Sequence, residues 1–215
     1  MSDARSLQQI LADCRERFAT APASAPPPAT GAPPPPRDER PENATIPPSF
    51  RWATLNAPEL RQRVARERAI GEGRAALSAT AVVLVGPSGS GKTSLACALL
   101  RAWEARDTRR RGSFVPAWRL GVARAQHGLG QGEPVEVERA LSTGLLVLDD
   151  LGSERNTVTN AVPDVIFERA YAGRPTWVTT WMTPEQVSQR YGDGIARRLY
   201  EADRVVVIGC DKAAP

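Results

Sequence analysis

Residues 82–96 read VVLVGPSGSGKTSLA, and this stretch decides the fold class. An apolar, β-branched run precedes a glycine-rich turn, and a run of helix-forming residues follows it. The turn, residues 86–93, fits the pattern G-x-x-x-x-G-K-[ST] of a phosphate-binding P-loop. Glycines let successive backbone N–H groups face one anion, and the following helix points its positive end at the same place. The stretch therefore predicts a strand, a loop and a helix that together bind a nucleotide.

The lysine of this turn is unusual for the chain. Among 28 lysines and arginines, only Lys92 and Lys212 are lysines. A compact ammonium group reaches the β- and γ-phosphates, whereas the broad fork of an arginine does not fit the loop. We expect ATP as the ligand, with Mg²⁺ held by the Thr93 hydroxyl. The predicted nucleotide-binding residues are Gly86, Pro87, Ser88, Gly89, Ser90, Gly91, Lys92, Thr93 and Ser94.

Length and composition favour one domain with appendages. The chain has 215 residues, of which 41% are hydrophobic, and we find no apolar run long enough to span a membrane. We therefore expect a cytoplasmic protein without a membrane partner. Three widely spaced cysteines and a single histidine cannot form a zinc site at plausible spacing. The net charge of +4 permits a nucleic-acid partner without identifying one.

The first part of the chain differs from the rest. Within residues 1–20, apolar side chains recur with helical spacing, which predicts a short amphipathic helix. Residues 21–48 form a proline-rich linker, since 11 of the 19 prolines lie between positions 22 and 48. A short isolated helix is marginally stable, so we expect residues 1–20 to dock on a partner; a disordered or self-packing tail is the alternative. The globular domain is predicted over residues 49–215.

Strands and helices alternate through the globular part, which is typical of a parallel sheet covered on both faces. The predicted strands are 81–85, 113–119, 145–149, 176–180 and 204–209. The predicted helices are 57–75, 92–105, 134–142, 162–172 and 184–200.

A second group of candidate residues ends the strand Leu145–Asp149. In a P-loop protein, a carboxylate at the end of such a strand faces the phosphate loop and holds Mg²⁺, and Asp149 fits that role. The next acid, Asp150, is placed to polarise the water that attacks the γ-phosphate. Most ATPases of this type carry the longer glutamate at this position.

Two further segments carry polar groups toward the same site. The strand 175–181, PTWVTTW, ends in two hydroxyls that we expect to lie between the acids and the P-loop. The helix that follows contains Arg190, Arg197 and Arg198. An arginine that reaches the γ-phosphate bound by a neighbouring subunit stabilises the transition state and couples hydrolysis to assembly.

The ordered combination GPSGSGKTS, LLVLDDLG, PTWVTTW and RYGDGIARRL resembles AAA+ ATPases of the bacterial helicase-loader type (DnaC), whose relatives include the IstB transposition helpers. The similarity covers roughly residues 46–210. It implies an α/β fold with a five-stranded parallel sheet in the order 5-1-4-3-2. It also implies slow ATP hydrolysis, self-association around single-stranded DNA and engagement of a replicative helicase. Because the chain stops soon after the fifth strand, we expect no C-terminal lid domain.

The resemblance also implies roles for individual residues. Lys92 and Thr93 match the Walker A pair, and Asp149 and Asp150 match the Walker B acids. Thr180 stands in the sensor-1 region and Arg198 in the arginine-finger region. These are the implied catalytic residues Lys92, Asp150, Thr180 and Arg198, with Thr93 and Asp149 as ligands of Mg²⁺.

Two positions depart from the family pattern. Family members usually end the sensor strand in asparagine, where this chain has Trp181, and many carry an arginine where it has Gly194. The finger assignment among Arg190, Arg197 and Arg198 therefore stays open. We expect self-association through the Arg197/Arg198 region.

Contact with single-stranded DNA is predicted after the second strand. Arg119, Arg124 and His127 lie there, and Trp118 beside them offers a stacking platform for bases. A core tryptophan flanked by solvated arginines is the alternative.

Three functions compete at this point. The leading prediction is an ATPase that loads or remodels a replicative helicase on single-stranded DNA, with residues 1–20 contacting the helicase. The second is an IstB-like transposition helper that uses ATP as an assembly switch. The third is a P-loop small-molecule kinase, which is disfavoured because no arginine-bearing lid is evident.

Overall fold

A computed structural model describes residues 45–64, 67–107, 110–128, 130–154, 160–201 and 205–210. The strands are β1 (Ala81–Val85), β2 (Gly112–Pro116), β3 (Leu145–Leu151), β4 (Thr176–Thr180) and β5 (Val205–Gly209). The helices are α1 (Pro58–Arg63), α2 (Glu67–Ala75), α3 (Lys92–Ala105), α4 (Ala117–Gln126), α5 (Val135–Ser142), α6 (Ala161–Tyr171), α7 (Pro184–Tyr191) and α8 (Asp193–Tyr200). The predicted N-terminal helix and most of the linker lie outside these residues.

The five strands form one parallel sheet in the order β2-β3-β4-β1-β5. This is the predicted order 5-1-4-3-2 viewed from the opposite edge, so the fold prediction is confirmed. The P-loop strand β1 lies between β4 and β5, and the acidic strand β3 lies on the far side of β4. The sheet order thus places β4, which ends in Thr179 and Thr180, between the strand that leads into the phosphate loop and the strand that carries the acids.

Alternate side chains of the buried strands pack into two separate cores. On one face, Leu84 and Val147 pack with residues of α1, α2 and α3. On the other face, Val83 and Leu148 pack with residues of α4 to α8. Both faces are covered, which explains why β1 and β4 are buried along their whole length. None of the helices in the described part of the chain is long and apolar enough to cross a bilayer.

Three predicted elements differ in the structure. The predicted strand 113–119 ends at Pro116, and helix α4 begins at the next residue. The predicted helix 57–75 consists of α1 and α2, with Val64 in an extended conformation after α1. The predicted helix 184–200 is divided at Gly192, whose φ of 87° ends α7 and starts α8. Glycine adopts this conformation at no steric cost.

The chain joins the sheet at Thr45 and Ile46. The Phe114 N–H donates a hydrogen bond of 2.8 Å to the Thr45 hydroxyl, and the Ile46 side chain is buried in the core. Packing therefore includes residues just ahead of the predicted domain start at Ser49.

A fully buried arginine holds the edge of the sheet opposite the P-loop. The Arg169 guanidinium on α6 donates hydrogen bonds of 2.6–3.2 Å to backbone carbonyls and to the hydroxyl of Thr176. The carbonyl acceptors are those of Ala140, Leu141, Thr143 and Pro175. Burial lowers the pKa of Arg169 to about 10, which still leaves it charged at neutral pH. One side chain thus ties the end of α5 to the start of β4.

Candidate nucleotide-binding site

The glycines of the P-loop are required for two reasons, their backbone conformation and the lack of space for a side chain. Gly89 and Gly91 have φ values of 80° and 82°, which non-glycine residues rarely adopt. A Cβ on Gly86 would lie 1.8 Å from the backbone oxygen of Cys210, and one on Gly91 would lie 2.8 Å from that of Arg63. The loop is therefore built closely against β5 and α1, and the glycines of the motif are required by space as well as by conformation.

The two neighbouring strands fix the base of the loop. The Gly86 N–H donates to the carbonyl of Thr180 at 3.2 Å, and the Cys210 N–H donates to the carbonyl of Val85 at 2.7 Å. The loop thus starts from a rigid platform. Helix α3 begins directly at Lys92, so its free N–H groups face the loop.

The Lys92 amine lies inside the loop. Nζ donates hydrogen bonds of 2.8 Å to the carbonyl oxygens of both Gly86 and Pro87, and the residue is only 8% exposed. Burial lowers the pKa of Lys92, while Cys210, Asp150 and Asp149 act in the opposite direction. The amine is held by neutral acceptors, and a phosphate oxygen is a stronger one.

A further polar atom of the loop fits an anionic ligand. The Ser90 hydroxyl is buried, and it has no hydrogen-bond partner among the described residues. Unsatisfied buried hydroxyls are costly, so a bound phosphate would remove a penalty that the nucleotide-free loop carries. The cradle of backbone N–H groups, the buried amine and this hydroxyl together suit the triphosphate of ATP.

The first Walker B acid is connected to the P-loop helix. The Thr93 hydroxyl donates a hydrogen bond of 3.0 Å to Oδ1 of Asp149, so the two predicted Mg²⁺ ligands are in contact. Burial raises the pKa of Asp149, and hydrogen bonds from Thr179 and Thr93 partly oppose that rise. A hydroxyl and a carboxylate in contact are oxygen ligands of the kind that Mg²⁺ prefers, so the pair fits the metal.

The second acid has a different environment and an unusual backbone. Asp150 is exposed, and its φ of 58° lies in the left-handed region. Between β3 and β4, Leu148 pairs with Val178 but the next pair is Leu151 with Thr180, so β3 contains one extra residue. This is a β-bulge, and it separates the two acids into one buried and one accessible carboxylate.

The Thr180 hydroxyl forms its hydrogen bonds with the backbone and not with the two acids. It donates to the carbonyl of Leu151 at 2.8 Å and accepts from the N–H of Met182 at 3.0 Å. The neighbouring Thr179, the other of the two hydroxyls that end this strand, donates to Oδ1 of Asp149 at 2.7 Å. The role of Thr180 as a sensor stays a prediction, and Trp181 after it is half exposed.

The three candidate finger arginines differ in their contacts. Arg190 donates to the backbone oxygen of Glu154, and its Nε lies 3.5 Å from Oε1 of the same residue. Arg198 lies over the ring of Phe167 and donates to the carbonyl of Gly194 at 2.8 Å. Arg197 has the most exposed side chain of the three, at 72%, with one ion pair of 4.0 Å to Glu201. The assignment of Arg198 as the finger stays a prediction.

The predicted DNA-contact residues lie on helix α4 and directly after it. Trp118 is 47% exposed, so it is not a core residue, and Arg119 beside it is exposed. Arg124 instead forms ion pairs with Glu133 at 2.8 Å and Asp164 at 2.5 Å. Since Pro116 pairs with Asp149, the start of α4 lies at the same edge of the sheet as the nucleotide site.

Several solved structures share this architecture. The crystal structure of the DnaC helicase loader superposes with a TM-score of 0.62 at 25% identity, covering 75% of this chain and 99% of that one. DnaI superposes with a TM-score of 0.57 at 20% identity, covering 79% and 93%. DnaA from Aquifex aeolicus, bound to AMPPCP, gives 0.54 at 20% identity, covering 77% and 50%. The fold and the site together define a P-loop protein with an AAA+ core.

The family follows from the sequence match. Residues 59–206 match the model of the IstB-like ATP-binding proteins, and the chain belongs to that family. ATP is therefore the nucleotide of the site. A comparison with curated protein sequences gives no match.

Proposed function

We propose that this protein is an ATPase that loads or remodels a replicative DNA helicase on single-stranded DNA. The observation that carries the proposal is the extent of the likeness to the DnaC helicase loader, 99% of which is covered at 25% identity. ATP binding would favour assembly, and hydrolysis would release the partner. Residues 1–20 would contact the helicase.

The site supports the chemical part of this proposal. Lys92 would bind the β- and γ-phosphates, and Thr93 and Asp149 would hold Mg²⁺, which neutralises charge on the phosphates when it is bound. Asp150, the accessible acid, would orient the attacking water. Arg197 or Arg198 would contact the nucleotide of a neighbouring subunit. The contact of Thr93 with Asp149 and the burial of Lys92 inside the loop support the roles of these three groups.

The test is ATP turnover with and without single-stranded DNA, comparing the wild-type chain with Lys92→Ala and Asp150→Asn. We expect DNA-stimulated turnover in the wild type and loss in both variants, with ATP binding lost only in Lys92→Ala. A pull-down with a replicative helicase, repeated after deletion of residues 1–20, then tests the partner. Absence of helicase binding by the full chain would refute the loader function.

The family match favours a second candidate, an IstB-like transposition helper in which ATP acts as an assembly switch. This function predicts ATP-dependent assembly on DNA with little turnover and no helicase partner. ATP binding without hydrolysis in the same experiment would support it against the loader.

A further inference from the structure

We propose that Thr179 is a positioning residue for both Walker B acids, and the inference rests on the proposed ATPase function. Thr179 lies on β4, opposite the bulge formed by Asp149 and Asp150, and its side chain is 1% exposed. The proposal concerns the hydroxyl of this residue, not its contribution to the core.

The hydroxyl makes two hydrogen bonds, one to each acid. It donates to Oδ1 of Asp149 at 2.7 Å and accepts from the backbone N–H of Asp150 at 2.8 Å. A hydroxyl has one proton to donate, so its donor role is used entirely on the carboxylate. One side chain thus sets the orientation of the buried acid and holds the backbone of the exposed one.

The second of these bonds stabilises an uncommon conformation. The left-handed backbone of Asp150 is unfavourable for most residues and less so for aspartate. The bulge removes this N–H from the regular ladder between β3 and β4, and the Thr179 hydroxyl supplies its acceptor. Without it, the N–H would need another partner, and the direction of Asp150 would no longer be fixed.

The first bond is independent of the metal. Oδ1 of Asp149 accepts from both Thr93 and Thr179, but Thr93 is itself a predicted ligand of Mg²⁺. Thr179 contacts no part of the P-loop in the hydrogen bonds described. It is therefore the group that keeps the Asp149 carboxylate in place whether or not Thr93 binds the metal.

Side-chain alternation explains why Thr179 and not its neighbour has this role. Successive residues of a strand point to opposite faces, so Thr179 lies on the same face as Trp177 and Thr180 lies on the other. Thr180 uses its hydroxyl between β3 and β4. The polar contact from β4 to the acids therefore comes from Thr179.

The test compares Thr179→Val, which keeps the shape and removes the hydroxyl, with Thr179→Ser, which keeps the hydroxyl. The control is Thr176→Val, which removes another buried hydroxyl from the same strand, one that contacts Arg169 instead. Binding of a fluorescent methylanthraniloyl-ATP is measured in EDTA and in Mg²⁺, together with kcat and KM for ATP.

We expect Thr179→Val to bind the analogue with wild-type affinity in EDTA. In Mg²⁺, its affinity should be about tenfold weaker than that of the wild type, and its kcat should be about tenfold lower. Thr179→Ser should restore both, and Thr176→Val should lower only the Tm. Normal Mg²⁺ dependence and turnover in Thr179→Val, equal defects in Thr179→Ser, or the same defects in Thr176→Val would each overturn the inference. If Thr179→Val does not melt cooperatively, Thr179→Ala decides by the same criteria. A wild-type chain that binds no analogue would refute the proposed function instead.

Discussion

The guanidinium of Arg198 lies 4.1 Å from the ring centroid of Phe167 and is held there by a hydrogen bond to Gly194. A Cβ on Gly194 would lie 2.9 Å from Cζ of Phe167, so this stacking depends on the absence of a side chain at position 194. Arg198 thus packs within its own chain, whereas Arg197 is largely exposed beside Glu201.

Replacing Arg197 and replacing Arg198 should affect different properties of the protein. We expect Arg197→Ala to remove the dependence of ATP turnover on protein concentration, because Arg197 is the one free to reach a neighbouring subunit. Arg198→Ala should lower the free energy of unfolding by about 1 kcal/mol through the lost contact with Phe167. Turnover against concentration and urea unfolding check both. Loss of the concentration dependence in Arg198→Ala alone would instead support the assignment that the family resemblance implies.

Removing the charge of the buried Asp149 carboxylate should stabilise the fold and impair function. Its raised pKa means that the folded chain is stabilised while Asp149 is neutral and loses that contribution as the pH rises through the raised value. Asp149→Asn keeps an oxygen acceptor for Thr93 and Thr179 without the charge. At pH 7 and without Mg²⁺, we expect it to raise Tm by about 2–4 °C, which corresponds to about 1 kcal/mol in a domain of this size.

Calorimetry at several pH values checks this prediction. The difference between the variant and the wild type should close as the pH falls through the raised pKa toward the ordinary value of 3.8. A lower Tm for Asp149→Asn at pH 7 would show that the charged carboxylate stabilises the apo fold.

The left-handed backbone at Asp150 predicts that glycine at this position gives a more stable protein than alanine does. Alanine normally stabilises a strand relative to glycine, but a φ of 58° favours glycine. We expect Asp150→Gly to be more stable than Asp150→Ala by about 1 kcal/mol. Both variants lack the carboxylate, so the difference in urea unfolding reports the conformation alone. Equal stability would indicate that the bulge relaxes easily.

Helix α4 predicts a stacking contribution to DNA binding. Replacing Trp118 by alanine should weaken binding of oligothymidine by about 1–3 kcal/mol, because one exposed ring can stack on one base. Tyr171→Ala is the matched control, since Tyr171 is 93% exposed at the C-terminal end of α6, away from the nucleotide edge of the sheet. Fluorescence anisotropy measures both. Unchanged affinity in Trp118→Ala would remove α4 from the DNA-binding surface.

The buried arginine predicts a large effect on stability. Arg169→Met fills a similar space without donors, and it leaves several buried carbonyls unpaired. We expect a loss of about 3 kcal/mol or more in the free energy of unfolding. Arg174→Met, which removes an exposed arginine bonded to Leu141, should cost less than about 1 kcal/mol. Similar losses in the two variants would contradict this account.

The local signals of the sequence were sufficient for the phosphate loop and the acids. The glycines, Lys92 and the apolar runs before Gly86 and Asp149 each depend on chemistry within a few residues, and the sheet order followed from the resemblance. Pro116 carried a signal that the prediction did not use. Proline is common at the start of helices, and Pro116 lies directly before α4.

Other features depend on contacts between distant residues. The hydroxyl of Thr179 meets Asp149, 30 residues away, and only because β3 carries one residue more than β4 at that point. No local pattern marks such a bulge. The sequence also carries no signal for the burial of Arg169, because its acceptors are backbone oxygens that every residue has. Sequence patterns identify residue types at a site, whereas register and backbone acceptors emerge from the assembled sheet.

The extra residue in β3 also constrains how this protein can change over generations. A single base change converts the codon of Asp150 into one for asparagine, glycine or glutamate, and the first two tolerate the left-handed backbone. Glutamate, the acid that most related ATPases use, fits poorly at φ 58°. Acquiring it would add backbone strain of about 1–2 kcal/mol, so the bulge favours the shorter acid at this position.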